Sequence, residues 1–284
     1  MKLFLITACT MAAFASNSIL TRMAIEPGYI DPISFGLLRV LAGAIFLFCL
    51  LSVNGKRITW RARGRIVGSV SLAVYIIGFS LAYVSLDAGL GALILFGVVQ
   101  IIMFGYSVFT GAQPTNRQFI GAGVAFVGLI IALWPDTASD ALGSVSATLL
   151  MVVAGVGWAV YTLSGKNAEN PLGDTAANFA ICLPILALLT LPFVEKVTMT
   201  GVSLAVICGA LTSGLGYALW YKVLPDLQRS VAAVVQLSVP IIAIFLGAIL
   251  LGESVTLPVF AAATLVIVGI SLAVTKQSLP EDHT

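Results

Sequence analysis

Charge is scarce in this sequence. Of 284 residues only 14 are Lys or Arg, 12 are Asp or Glu, and one, His283, is histidine. With 60% apolar residues and a mean hydropathy of +1.08, the chain lacks the polar surface that would keep a globule of this size in water. That excludes a soluble domain and leaves a membrane protein. The shortage removes whole classes of chemistry as well. Acids lie in loops or at the ends of apolar runs, and the single histidine is in the tail, so no nucleophile with its base is available. Cys9, Cys49, Cys182 and Cys208 all fall inside apolar runs, where a small buried hydrophobe is the plainer reading than a disulfide or a metal ligand. No catalytic residue, cofactor or metal is expected, and no nucleic-acid partner.

Long apolar runs are what the chain has instead. A helix needs about 20 apolar residues to cross about 30 Å of hydrocarbon. Runs of that kind cover about 3–24, 33–53, 66–86, 90–110, 118–135, 144–165, 174–194, 202–223, 229–250 and 258–275. They stay apolar without alternating, which predicts helices and not barrel strands. The reading is an all-α membrane protein of ten transmembrane helices. With the amino terminus in the cytoplasm, the inner segments hold Lys2, Lys56, Arg57, Arg61, Arg63, Arg65, Arg117, Lys166, Lys222, Arg229 and Lys276. The outer segments then hold only Arg22 and Lys196. Eleven against two predicts both termini in the cytoplasm of a multi-pass inner (plasma) membrane protein.

The first run poses its own question. Ala13-Phe14-Ala15 has the small-x-small look of a secretory cleavage site, yet apolar character continues past it to Ala24. An internal repeat argues for a retained helix. At an offset of 144, Ala15, Arg22 and Pro27 meet Ala159, Lys166 and Pro171; at 138, Leu81, Tyr83 and Leu86 meet Leu219, Tyr221 and Leu224. VVQIIMFGYSVFTGAQ (98–113) lies against SVPIIAIFLGAILLGE (238–253). Five spans is an odd number, so the second set enters the membrane from the opposite side, as inverted-repeat transporters do. Residues 1–136 form the first five-helix repeat, 144–276 the second, and 277–284 a cytoplasmic tail.

At LWYKVLPDLQRSVAAVVQLSVPIIAIFLGAILLGESVTLPVFAAATLVIVGISL (219–272) the sequence resembles the drug/metabolite transporter superfamily, in its ten-helix EamA branch. An aromatic-rich helix, a short polar turn, the Pro240 helix, the Gly252-Glu253 pair and a closing helix ending in Gly269 carry the resemblance. SNSILTR and Arg39 in the first half, and GWAVYTLSGK (157–166) in the middle, resemble the same family. Within it the nearest flavour is that of bacterial amino-acid exporters of the YddG type. Gln100 and Gln113 stand where the second half has Pro240 and Glu253, so the two halves are chemically unequal.

Polar groups and rings inside spans belong against a cavity or another helix. Asn17 is the clearest on the first span. Tyr75, Phe79 and Tyr83 recur every four residues and share one face of the third; Phe96, Gln100 and Phe104 do so on the fourth. The second half adds Trp158 and Tyr161 on the sixth span, Tyr217 on the eighth and Gln236 on the ninth. Rings and amides facing one another would make a pocket for amino-acid side chains, the bland alternative being ordinary packing. Trp60, Trp134, Trp220 and Tyr221 read as belt aromatics at the membrane surface. Arg39 either meets a substrate carboxylate or pins the bundle, and Pro240 is a candidate gating kink.

The expectation is a secondary transporter that exports amino acids, aromatic and apolar ones foremost, and related metabolites by alternating access, without proton coupling. A multidrug exporter of aromatic cations and a membrane channel are the competing readings. Small-molecule substrate and lipid are the expected partners; monomer and homodimer both stand open.

Overall fold

The computed structural model describes residues 2–58, 60–62, 64–111, 115–132, 141–166, 168–227 and 229–274. Arg63, Gln113, Trp134, Lys276, His283 and the tail 277–284 lie outside them. The described chain is helical: α1 (Lys2–Ile25), α2 (Pro32–Val53), α3 (Arg65–Ala82), α4 (Ala88–Phe109), α5 (Asn116–Ala132), α6 (Ala141–Gly165) and α7 (Pro171–Thr190). There follow α8 (Met199–Ile207), a π-helical segment (Cys208–Leu215), α9 (Gly216–Val223), α10 (Arg229–Gln236), α11 (Ser238–Leu250) and α12 (Leu257–Val274). Among the described residues no strand forms; the extended backbone at Ile30 and Val197 makes one isolated antiparallel bridge.

Over its described residues each apolar run lies mainly on helix, but the eighth and ninth are not single α-helices. The eighth run is α8, the π segment and α9 in succession. The ninth breaks at Leu237 because Pro240 has no N–H to donate and its ring crowds the carbonyl four residues back, that of Gln236. Seven helical stretches among the described residues are long and apolar enough to cross a membrane; Ser238–Leu250 and Leu257–Gly269 are shorter apolar helices. The outside of the bundle is itself apolar. Phe4, Ile45, Phe109, Leu188, Phe245, Ile249 and Leu257 are all exposed, while Asn17, Arg39, Gln100, Asp174 and Gln236 are buried. That inside-out distribution suits lipid and not water.

Local chemistry sets the helix ends. Asp31 caps α2: its Oδ1 accepts from Ser34 N at 2.8 Å, with Pro32 pre-set for the first turn. Its Oδ2 also accepts from Glu195 N and Lys196 N at 3.2 and 3.0 Å, tying the α7–α8 connection to the start of α2. Burial alone would raise the Asp31 carboxyl, but these hydrogen bonds outweigh it and hold the group below its ordinary 3.8. A lowered folded value means that the contribution is fully present above the ordinary pKa and is lost as the pH falls through the folded one. Replacing Asp31 by Ala is expected to cost about 1 kcal/mol in thermal unfolding of the purified protein. The gap between variant and wild type should close as the pH is taken below 3.8.

Packing brings the two halves of the chain together throughout. α6 lies on α3 and α4, and α1 lies on α8, the π segment, α9 and α11. α2 meets α7, α8 and the π segment; α3 also meets α7; α4 meets α10 and α11; α5 meets α12. Small residues permit the closest crossings. A Cβ on Gly157 would stand 2.7 Å from Ser71 O, and one on Gly78 2.7 Å from Leu150 O, so α3 and α6 touch backbone to backbone.

Candidate functional site

The deepest part of the bundle is a ring cluster. On the face of α3 carrying Tyr75 and Phe79, Tyr75 meets Trp158 of α6 and Tyr217 of α9, and Phe14 of α1 and Tyr161 of α6 pack on those same two rings. Ring centroids are 5.1 Å apart for Tyr75 and Trp158, 4.7 Å for Trp158 and Tyr217, and 5.0 Å for Phe14 and Trp158, the last pair edge to face. Tyr83 continues the same face, edge on to Phe79 at 4.7 Å, and its hydroxyl donates to Ala88 O. Edge-to-face and tilted pairs of this kind add stability beyond the area they bury.

Within this cluster lies Arg39, fully buried on α2. Its Nε donates to Ser213 Oγ at 2.8 Å, and its Nη2 to Tyr75 and Tyr217 hydroxyls at 3.0 and 2.6 Å. The guanidinium carbon stands 5.1 Å from the Phe79 ring centre and 5.5 Å from that of Tyr75, within cation–π range. Nη1 has no hydrogen-bond partner among the described residues. Neither Glu26 nor Asp31, the acids at the outer end, is its partner: among the described residues the ion pairs are Arg22 with Asp87 and Arg65 with Asp174.

The π segment supplies the other half of this arrangement. Its wider winding turns Cys208, Thr212 and Ser213 toward α1, where Asn17 Oδ1 accepts from Thr212 Oγ1 at 2.7 Å, Ser213 Oγ at 2.9 Å and Cys208 Sγ at 3.3 Å. Asn17 Nδ2 donates back to Thr212 O. Asn17 is therefore engaged in holding the π segment. A relay runs from Arg39 through Ser213 to Asn17, joining α2, the π segment and α1.

A cavity lined by Phe14, Asn17, Ser18, Tyr75, Phe79, Phe96, Trp158 and Tyr217 occupies the centre, with about 10 Å³ open to a water centre. That is room for about one water. The chamber expected from the sequence is thus closed, its wall groups in contact with one another. Larger recesses lie at the two ends of α3. One, about 400 Å³, is bordered by Arg61, Arg65, Glu169, Asp174, Asn178 and Tyr221. The other, about 520 Å³, is bordered by Arg22, Glu26, Asp87 and Glu253.

Each recess is shut off from the centre by specific groups. On the first side Tyr161 and Tyr221 stack at 4.8 Å, and the Tyr221 hydroxyl donates to Tyr161 O. Beneath them Arg65 Nη2 donates to Asp174 Oδ1 at 2.5 Å and Nη1 to Asn178 Oδ1 at 2.7 Å. On the second side Arg22 Nη1 donates to Tyr83 O and Val84 O, carbonyls just past the end of α3. Glu253 closes the same end. Gly252, at φ +68°, turns the chain after α11 so that Glu253 Oε1 accepts from Ala88 N at 2.7 Å, at the amino end of α4. Burial pushes the Glu253 carboxyl above its ordinary range against the pull of that N–H, and nearby Asp87 adds to the rise.

Phe96 lines the central cavity, but Gln100 and Phe104 border a separate apolar cavity of about 340 Å³ between α4, α5 and α12. Gln236 does not line the central cavity but accepts from one of its walls, Trp158 Nε1, at 2.8 Å. Trp220 and Tyr221 are buried, and Trp220 Nε1 donates to Thr162 Oγ1, so neither is the surface-belt residue that its position near a span end implied. Trp60 is exposed. Phe14, Phe179, Ser213 and Asn178 reach the cluster unannounced; only the polar pair Thr212-Ser213 in an apolar run hinted at them. Replacing Trp158 by Ala should cut transport about tenfold, equivalent to about 1.4 kcal/mol of lost ring contact, whereas Gln100→Ala should leave the rate near wild type.

Helices that bury arginine, hydroxyls and rings inside an apolar shell, with a recess at either end, define a multi-pass membrane protein built to pass something through its middle. The sequence profile of the EamA-like transporter family matches residues 145–275. An uncharacterized protein of Pseudomonas aeruginosa is 42% identical over 94% of this chain and 92% of its own length. An uncharacterized transporter of Archaeoglobus fulgidus is 27% identical over 88% and 91%, and the Bacillus subtilis transporter YoaV 22% identical over 85% and 86%. A solved crystal structure, 16% identical, superposes with a TM-score of 0.75 over 96% of this chain and 98% of its own, which shows the same fold. The chain belongs to the EamA-like transporter family of the drug/metabolite transporter superfamily.

Proposed function

We propose that this transporter exports amino acids, aromatic and apolar ones foremost, and related small metabolites by alternating access, as transporters of the YddG type do, without coupling to protons. The observation that carries the proposal is the closed cluster of rings and hydrogen-bonding groups at the joint between the two halves of the chain, with a recess beyond it on each side. A substrate bound among Phe14, Tyr75, Phe79, Phe96, Trp158 and Tyr217 would be released to either side as one set of seals parts. Acids at the seals are already engaged, Asp174 with Arg65, Asp87 with Arg22 and Glu253 with the start of α4. The fully buried guanidinium disfavours an exporter of aromatic cations.

Ten spans in two opposed sets of five, with both termini in the cytoplasm of the inner membrane, is the architecture this reading requires. Two observations support it. Exchange of first-half for second-half helices carries the packing onto itself: α6 on α3 and α4 answers α1 on α9 and α11, and α3 on α7 answers α2 on α8. The repeat-related cations also do the same work. Arg22 binds carbonyls just past the end of α3, and Lys166 Nζ, its partner at offset 144, donates to Leu224 O at 2.8 Å and Pro225 O at 3.0 Å beyond α9. The test is uptake of labelled phenylalanine by proteoliposomes, with and without an imposed pH gradient. Flux is expected in both, at equal rate; no flux removes the substrate class, and flux only under the gradient removes the uncoupled mechanism.

A further inference from the structure

Superimposing the offset of 138 on the central contacts assigns Arg39 a special place. Tyr75 and Ser213 are repeat partners, as are Phe79 and Tyr217. Arg39 donates to both members of the first pair, and it lies over one ring of the second and donates to the hydroxyl of the other. The guanidinium therefore sits where the two halves meet, bonded to each. α7, the repeat counterpart of α2, contains no Lys or Arg, so the charge occurs once only. A structural clamp would need hydrogen bonds but no net charge; this centre has both, and among the described residues no acid pairs with it.

We propose that Arg39 is the anchor for the carboxylate of the transported molecule, a specificity-determining residue that makes this a carrier of organic acids, free or zwitterionic. The inference deepens the proposed function and rests on the same site. Three observations carry it. The side chain is fully buried, yet among the described residues it forms no ion pair. Its Nη1 has no partner there. Three residues it contacts, Tyr75, Phe79 and Tyr217, are walls of the central cavity. Burying a cation without a counter-ion is costly, and a carboxylate accepting from a guanidinium removes that cost by charge-assisted hydrogen bonding. When the ligand is a zwitterion, its ammonium group faces rings, chiefly Trp158 and Phe96, which hold cations through their faces. An amine without a carboxylate meets the uncompensated arginine and is rejected.

The experiment compares four ligands of one ring system on the purified, detergent-solubilised protein: phenylalanine, 3-phenylpropionate, phenylalaninamide and phenethylamine. Thermal unfolding is followed over a concentration series, which needs no transport assay. The acids are expected to bind about tenfold or more tightly than the amide, and the amine not at all. Arg39→Gln should erase the preference and Arg39→Lys keep part of it. Equal stabilisation by phenylalanine and its amide overturns the anchor while leaving amino-acid export standing. Stabilisation by phenylpropionate alone upholds the anchor and removes the amino-acid reading. No stabilisation by either acid, or an acid preference that survives in Arg39→Gln, overturns the anchor. Should Arg39→Gln fail to fold, the wild-type ligand series decides by itself.

Discussion

Replacing Asp174 by Ala is expected to destabilise the purified protein by about 3–5 kcal/mol, because it leaves the Arg65 guanidinium buried without its counter-ion. Arg65 begins α3 and Asp174 lies in the first turn of α7, so the pair clips two helices together at the recess bordered by Tyr221. The neutral carboxamide Asp174→Asn should lose less, since it keeps an acceptor for one guanidinium nitrogen. Removing both charges at once, Arg65→Met with Asp174→Leu, should recover most of the loss, as buried ion pairs replaced by apolar groups of similar size often do. Thermal unfolding of wild type, Arg65→Met, Asp174→Leu and the double variant forms a double-mutant cycle that reads the coupling directly. A single Asp174→Ala change within a few tenths of a kcal/mol of wild type would mean that the pair contributes nothing.

Gly209→Leu should abolish transport in protein that still reaches the membrane. A Cβ at this position of the π segment would collide with the Arg39 carbonyl oxygen of α2, and backbone cannot move aside as a side-chain tip can. Gly43 and Gly214 make the same crossing tight: a Cβ on Gly43 would stand 2.8 Å from Gly209 O. Forcing α2 and the π segment apart separates Arg39 from Ser213 and breaks the relay to Asn17. Gly105 and Gly123 are the control, since a Cβ on either meets nothing within 4 Å. Gly105→Ala and Gly123→Ala should transport at wild-type rate and gain up to about 1 kcal/mol in stability from helix propensity. Labelled phenylalanine flux in proteoliposomes, normalised to reconstituted protein, checks all three.

How far these features can be read from the sequence depends on their range. Helix positions follow from apolar runs bounded by Pro, Gly and charge, and the break after Gln236 follows from Pro240. The α3 face carrying Tyr75, Phe79 and Tyr83 needs only the spacing of four residues, and these rings do meet Trp158, Tyr217 and each other. Gln100 shares a helix face with Phe96 by the same rule, yet it borders a different cavity. Spacing fixes which residues share a face but not which neighbour the face meets over its length. Arg65 reads as one more loop cation on the cytoplasmic side; its burial depends on Asp174, 109 residues away. Thr212 Oγ1 does bond back to Cys208 O, one turn earlier, as a threonine in a helix is expected to, and it also reaches Asn17. From the π segment Thr212 and Ser213 both reach Asn17, 195 and 196 residues away, a pairing that no local pattern records.

The most direct test of transport by a closing and opening centre is counterflow. Proteoliposomes loaded with unlabelled phenylalanine and diluted into a trace of labelled phenylalanine, with no pH gradient, should accumulate label transiently above the outside level, and Trp158→Ala should remove the overshoot. Label that only equilibrates, at the same rate in loaded and empty vesicles, would contradict alternating access and describe a channel.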